Sequence, residues 1–217
     1  AAAAWVVDET GVRYRFTLRP GLRWSNGDAL VAADFVRGWQ TAVAPATQAR
    51  TASLLAPVSG ARAIIAGRQD PSSLGIRALD DRTLEIELEQ ATPWFPELLA
   101  HPVSFALHPA GVEDVLERPV SGPYRLLEAV PRSHLALERN PAWHGAGSVA
   151  LDRIDYLPIE DPGAELSRFR AGELHITETI PPGRHDWLAE NLPEALRIAP
   201  YVGSFWLGLN LSRPPLA

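Results

Sequence analysis

Histidines, carboxylates and serines are the side chains here that could do chemistry, and their spacing decides what chemistry is open to them. The six histidines are His101, His108, His134, His144, His175 and His185. None forms an His-Glu-x-x-His helix motif or a close i, i+4 pair, and there is no cysteine to complete a thiolate site. His101 and His108 are seven residues apart across Pro102. Surface or hydrogen-bonded histidines are therefore expected, with no metal site and no cofactor. Glu85, Glu87 and Glu89 alternate along one apparent strand, so all three should point to the same face. A solvated face suits them better than a paired general acid and base. Ser25, Ser121 and Ser204 lack the Gly-x-Ser-x-Gly elbow of a hydrolase nucleophile. No phosphate-binding or dinucleotide fingerprint occurs. The expectation is a binding protein, with hydrolase chemistry disfavoured.

The chain of 217 residues is long enough for one large or two small domains, and its 46% hydrophobic and 21% charged residues are ordinary for a globular protein. A net charge of −6 argues against nucleic acid as a partner, since phosphate binding needs a basic face. No stretch approaches the roughly 20 apolar residues that cross a bilayer. Methionine is absent and all 20 basic residues are arginine. A chain that begins Ala1-Ala2-Ala3-Ala4 without Met is expected to be processed or, the preferred expectation, cut from something longer. The alanine run lacks the charged and apolar regions of a signal peptide.

Strand and helix patterns alternate along the chain. Val12–Leu18 alternates apolar and polar residues as a half-buried strand does, and Ser25-Asn26-Gly27-Asp28 signals a turn. Ala32–Val43 reads as a helix, with Asp34 in its first turn, Phe35, Val36, Trp39 and Val43 on one face, and Pro45 beyond its end. Short helices are expected over 48–56, 61–66, 93–100 and 110–116. Strands are expected over Thr83–Glu89 and 103–107, with a domain boundary near Arg118–Gly122. Beyond it, strands are expected at 123–129, 134–138, 154–159, 173–177, 196–201 and 204–210, and helices at 164–170 and 184–191. The fold class this implies is mixed α/β (α+β).

Five segments, in order, carry a resemblance. Phe16-Thr17-Leu18-Arg19 through Trp24-Ser25-Asn26-Gly27-Asp28 leads into Ala33-Asp34-Phe35. Then come Asp80-Asp81-Arg82-Thr83-Leu84, Gly122-Pro123-Tyr124, Glu138-Arg139-Asn140-Pro141-Ala142-Trp143 and Ala171-Gly172-Glu173-Leu174-His175. Together they resemble the extracytoplasmic solute-binding proteins of the oligopeptide/dipeptide ABC-transporter family over nearly the whole chain. Each has a local reading too: a turn beside an apolar anchor at Trp24, close backbone approach at Gly122, a turn at Asn140-Pro141 and a helix stop at Gly172. His175 stands where the family usually has Asp.

The resemblance implies a periplasmic-binding-protein type II-like fold that closes over its ligand by hinge motion, present here in part. It assigns residues 1–118 to the small extra domain of the peptide-binding subclass and residues 119–217 to part of the first main lobe, the second lobe being absent. It implies capture of short peptides, delivery to permease subunits of an ABC transporter, a monomer, and a periplasmic or lipid-anchored extracellular location. The family's cleft-lining strand matches Pro200–Asn210, which makes Tyr201, Gly203, Ser204 and Phe205 candidate ligand contacts. Ser53 is another, in a region where relatives place an aromatic and this chain has Ala56-Pro57. Alternative cargoes of the same fold are nickel chelates, haem, opines and oligosaccharides, and a non-transport interaction domain is a further alternative.

Overall fold

Strong period-2 alternation over Val12–Leu18 and Thr83–Glu89 needs a covering layer on one face only, and the structure supplies it with a helix. The computed structural model describes residues 1–110, 114–201, 203, 205–209, 211, 212 and 214. It divides into two compact units, Ala1–Leu157 and Pro158–Ala217.

In the first unit, strands β1 (Ala2–Val7), β2 (Arg13–Leu18), β3 (Ile76–Ala78) and β4 (Thr83–Glu87) form an antiparallel sheet of order β1-β2-β4-β3. The register pairs Tyr14 with Ile86 and Phe16 with Leu84. Tyr14, Phe16, Leu18, Leu84 and Ile86 are buried, and they face helix α1 (Ala32–Val43) through Trp39 and Val43, with Phe95 alongside. Both bounds of α1 match the expectation. At its start the Asp34 carboxylate accepts the Val31 N–H at 3.2 Å. At its end Ala44 adopts an extended conformation, as a residue before proline must.

Glu85 departs from the expected solvated face: it is only 4% exposed, whereas Glu87 and Glu89 are exposed. Its neighbours across the sheet are Arg15 on β2 and Arg77 on β3, and both guanidiniums bond its carboxylate, Arg15 at 2.8 Å and Arg77 through Nε at 2.9 Å and also through Nη2. Two arginine stems shield the carboxylate while their own charges stay in water. The Arg15 hydrogen bond, opposed by burial and helped by Arg77, holds the Glu85 carboxyl below its ordinary value of 4.5. A group depressed in the folded state stabilises the fold above its unfolded pKa, and that stabilisation is lost as pH falls through the folded value. Glu85→Gln should therefore cost about 1 kcal/mol at pH 7. In urea midpoints measured against pH, the gap between parent and variant should close below pH 4.5. A constant gap would mean that the loss comes from packing.

The strand expected over 103–107 is not a sheet strand. Pro102–Ser104 forms a 3-10 turn whose first N–H, that of Val103, is accepted by His101 Nδ1 at 3.1 Å. Helix α1 then takes up the following backbone groups. Trp39 Nε1 donates to Ser104 O at 2.7 Å, Leu107 N to Asp34 O at 3.0 Å, and Arg37 Nη1 to Leu107 O at 2.9 Å. The approach is close enough to require a glycine in the helix: a Cβ at Gly38 would collide with the Phe105 carbonyl oxygen. The two short helices of this part are α2 (Ala61–Ile65) and α3 (Phe95–Leu98), while the region expected as a helix over 48–56 contains only the 3-10 turn Ala52–Leu55, a second such turn, Pro45–Thr47, lying just before it. The helix expected over 110–116 lies partly outside the described residues; 114–117 form a turn.

Strands β5 (Tyr124–Val130), β6 (His134–Arg139) and β7 (Arg153–Tyr156) complete the unit as a second antiparallel sheet, order β5-β6-β7. Asn140, fully buried, fastens its entry. Its N–H donates to Pro123 O and its Nδ2 to Gly122 O, both at 2.8 Å, and its Oδ1 accepts the Ala142 N–H. Ser25 ties the chain just before it through Val120, backbone to backbone at 2.8 Å and side chain to backbone at 3.1 Å.

The second unit holds α4 (Pro162–Arg170) and α5 (His185–Asn191). Asp161 caps α4 by accepting the Ala164 N–H at 2.7 Å, and Gly172 follows it with φ 78°. Arg170 lies over the Trp187 ring at 5.1 Å. The strands expected at 173–177 and 196–201 are absent, and so is any strand among the described residues of 204–210, where Ser204 and Asn210 fall outside them. Alternation alone does not make a strand; these segments have no neighbouring strand to pair with among the described residues. Among the described residues, no helix is long and apolar enough to cross a membrane.

Candidate functional site

The sequence-derived candidates fall in different units. Ser53 is exposed on the 3-10 turn Ala52–Leu55 of the first unit, where its carbonyl accepts the Ala56 N–H. Tyr201, Gly203 and Phe205 belong to the second unit, and Ser204 lies outside the described residues. Tyr201 and Phe205 are 92% and 90% exposed, and Trp206, Leu207 and Leu209 are exposed beside them. The Tyr201 ring lies against Gly203, leaving no room there for a Cβ. This segment is an apolar, aromatic ribbon without sheet partners among the described residues, which is what strand addition by a ligand or another segment would use.

The histidines take local roles. His108 is buried, and its Nε2 lies 2.9 Å from Asp28 Oδ2 while its Nδ1 accepts the Ala110 N–H at 3.1 Å. Hydrogen bonds from Asn26 first, and then His108, draw the Asp28 carboxyl below its usual value. His134 Nε2 lies 3.2 Å from Glu128, and His185 pairs with Asp186 at 3.1 Å. Among the described residues no three His, Cys, Asp or Glu side chains gather as a metal site would require.

Beside α1 a buried network anchors the Trp24–Asp28 turn. Asp34 Oδ2 accepts the Trp24 indole N–H at 3.0 Å, and Asp34 Oδ1 accepts from Arg37 at 2.7 Å. The Trp24 ring stands edge-on to His108 with centroids 5.2 Å apart. This network borders a cavity of about 1040 Å³ in the first unit, between the four-stranded sheet, α1 and the segment from Arg118 to Tyr124. Phe16, Trp24, Trp39 and Ile86 are its buried walls; Trp5 and Phe105 are exposed walls, and Trp143 is half-buried. Sequence reasoning treated Trp24 as an anchor for a turn and did not assemble this cavity. Its linings come from separate segments whose meeting only the fold reveals.

Comparison with known proteins places this architecture. The sequence model described as "Bacterial extracellular solute-binding proteins, family 5 Middle" matches residues 1–217. The Escherichia coli K12 protein named "Probable deoxycholate-binding periplasmic protein YgiS" is 37% identical over 99% of this chain and 42% of its own length. The periplasmic murein peptide-binding protein MppA of the same strain is 32% identical over 100% of this chain and 42% of its own. Among solved structures, Haemophilus influenzae OppA in complex with RPPGFSPFR superposes with a TM-score of 0.84 at 31% identity, covering 88% of this chain and 39% of that one. The chain thus spans about two-fifths of the length of the relatives it matches. These structural neighbours share its mixed α/β, type II periplasmic-binding-protein fold, here in part. The chain belongs to the bacterial extracellular solute-binding proteins of family 5.

Proposed function

We propose that this chain is part of the substrate-binding component of an ABC importer, which captures short peptides in a cleft between two lobes and delivers them to the membrane permease. The observation that carries the reading is the 0.84 TM-score with Haemophilus influenzae OppA in complex with the peptide RPPGFSPFR. In this reading residues 1–118 are the small extra domain and residues 119–217 part of the first main lobe. Tyr201, Gly203, Ser204 and Phe205 supply backbone and aromatic contacts to the peptide, with Ser53 a further contact. The component acts as a monomer outside the cytoplasmic membrane, in the periplasm or on a lipid anchor, as the names of its relatives suggest. It binds without turnover; the relatives are named for binding.

Titration calorimetry of protein carrying this chain, against mixtures of tri- to pentapeptides, tests the reading. Saturable binding with unchanged peptides recovered afterwards is expected, and Tyr201→Ala with Phe205→Ala should weaken it about tenfold or more. Folded protein that binds no peptide, or cleaves it, would refute the reading. A second reading, an apolar acid as cargo, is favoured by the name of the 37% identical relative.

A further inference from the structure

Two of the six histidines begin matching tripeptides, His101-Pro102-Val103 and His108-Pro109-Ala110. Both make the same local bond: the backbone N–H of the third residue donates to the histidine Nδ1, at 3.1 Å in each case. A backbone N–H can only donate, so each Nδ1 must be the bare nitrogen of a neutral ring whose proton sits on Nε2. At His108 that proton faces Asp28 Oδ2, 2.9 Å away. Between the two turns the chain is tied to α1 by Trp39 Nε1 to Ser104 O, Leu107 N to Asp34 O and Arg37 Nη1 to Leu107 O. Residues 104–110 also form one wall of the cavity of about 1040 Å³.

Protonation acts on this stretch in one direction. A proton on Nδ1 sets two donors face to face, so the neighbouring N–H must turn away. His101 is half-buried and in no ion pair among the described residues; α3, which its N–H meets at Leu98 O, carries Glu97. The charged groups about His108 are Asp28, then Asp34 and Arg37 on α1, with Arg23, Arg118 and His144 lining the same cavity. Asp34 is taken by Arg37 and the Trp24 indole, so Asp28 is the carboxylate that meets the ring. Hydrogen bonds from Asn26 first, and then His108, draw Asp28 below its usual value, which keeps it anionic where histidines titrate. It can therefore hold an imidazolium through Nε2, and the bond that protonation breaks is the one from Ala110.

We propose that residues 101–110 are a proton-operated latch on the cavity wall: neutral His101 and His108 hold it closed against α1, and their protonation releases it. Closure takes the uncharged rings, so its stabilisation is present above the histidine range and is lost as pH falls through that range. Release frees the Ser104 and Leu107 backbone from α1 and opens the cavity on that side. The latch rests on the helix and the cavity alone and does not depend on the peptide reading.

The test is hydrogen exchange read site by site by NMR on protein carrying this chain, at about pH 7.5 and about pH 5. Protection of the Val103, Leu107 and Ala110 amides and of the Trp39 indole N–H should fall about fivefold or more in acid, fivefold being the worth of one neutral hydrogen bond. Amides of β2 and β4 should keep their protection. At the higher pH the ring nitrogen shifts should report Nε2–H tautomers for both histidines. His101→Asn and His108→Asn each keep an acceptor for the same N–H two residues on and take up no proton. Each should abolish the acid loss at its own turn, and the double variant should abolish it throughout. A parent-like circular dichroism spectrum and melting curve establish that each variant is folded. The proposal is overturned if the four sites stay protected in acid, or if the double variant loses as much protection as the parent. It is equally overturned if β2 and β4 lose protection in parallel, which is global acid unfolding, or if either ring carries its proton on Nδ1 at the higher pH.

Discussion

Alanine in place of Trp39 is expected to remove about 3 kcal/mol of stability, the lower end of the range for deleting a buried large aromatic. The side chain is 2% exposed, packs edge-on to Phe95 with centroids 6.4 Å apart, and donates its indole N–H to Ser104 O. Its loss removes dispersion contacts with the sheet and the hydrogen bond that fastens 104–107 to the helix. The low end is expected because Trp39 also borders the cavity, where fewer neighbouring atoms stand to be lost. Trp39→Phe keeps a ring in place but loses the donor and part of the ring volume, so it should cost less, about 1–2 kcal/mol. Urea unfolding followed by circular dichroism checks both. Equal costs for the two variants would mean that the hydrogen bond dominates and that packing at this position is slight.

Asp34→Ala should cost about 2–4 kcal/mol, although Asp34 sits in the first turn of a helix where a lost cap alone costs about 1. The difference lies in its three donors. The Trp24 indole N–H is left buried without an acceptor, the Val31 N–H loses its cap, and Arg37 loses its counter-charge. Arg37 is part-exposed and can turn to water, which keeps the total below that of a fully buried ion pair. Asp34→Asn retains one acceptor oxygen and should recover about half of the loss. Both changes also loosen the Trp24–Asp28 turn at the cavity's edge. A double substitution with Trp24→Phe therefore measures the coupling: the Asp34 cost should fall by about 1 kcal/mol when the indole donor is already gone. Additive costs would show that Trp24 and Asp34 act independently.

Much of the first sheet and its helix was legible in the sequence because local and tertiary preferences agree there. Tyr14, Phe16 and Leu18 alternate and are buried as alternation requires, and α1 has an acidic first turn, an apolar face and a proline beyond its end. Strand β1 was missed, since Ala1 to Ala4 carry no alternation and Trp5, Val6 and Val7 on this edge strand are exposed. Alternation placed Glu85 opposite Leu84 and Ile86, but not its shielding, which depends on arginines from two other strands. The segments over 173–177, 196–201 and the described residues of 204–210 show the converse. Their apolar alternation reads as strand, yet Ile176 is 85% exposed and no described neighbour pairs with them. The candidate ligand contacts were readable only through family resemblance, because exposed aromatics such as Tyr201 and Phe205 bear no mark that separates a ligand wall from a covered face. The cavity was not readable at all: Phe16, Trp39, Phe105 and Trp143 are far apart in sequence and meet only in the fold.

The most direct test of solute capture is native mass spectrometry of protein carrying this chain, purified without added ligand and gently activated in the gas phase. A ladder of released masses that fit short peptides is the predicted result. Protein shown to be folded that releases no small molecule, and takes none up when peptides are added, would contradict it.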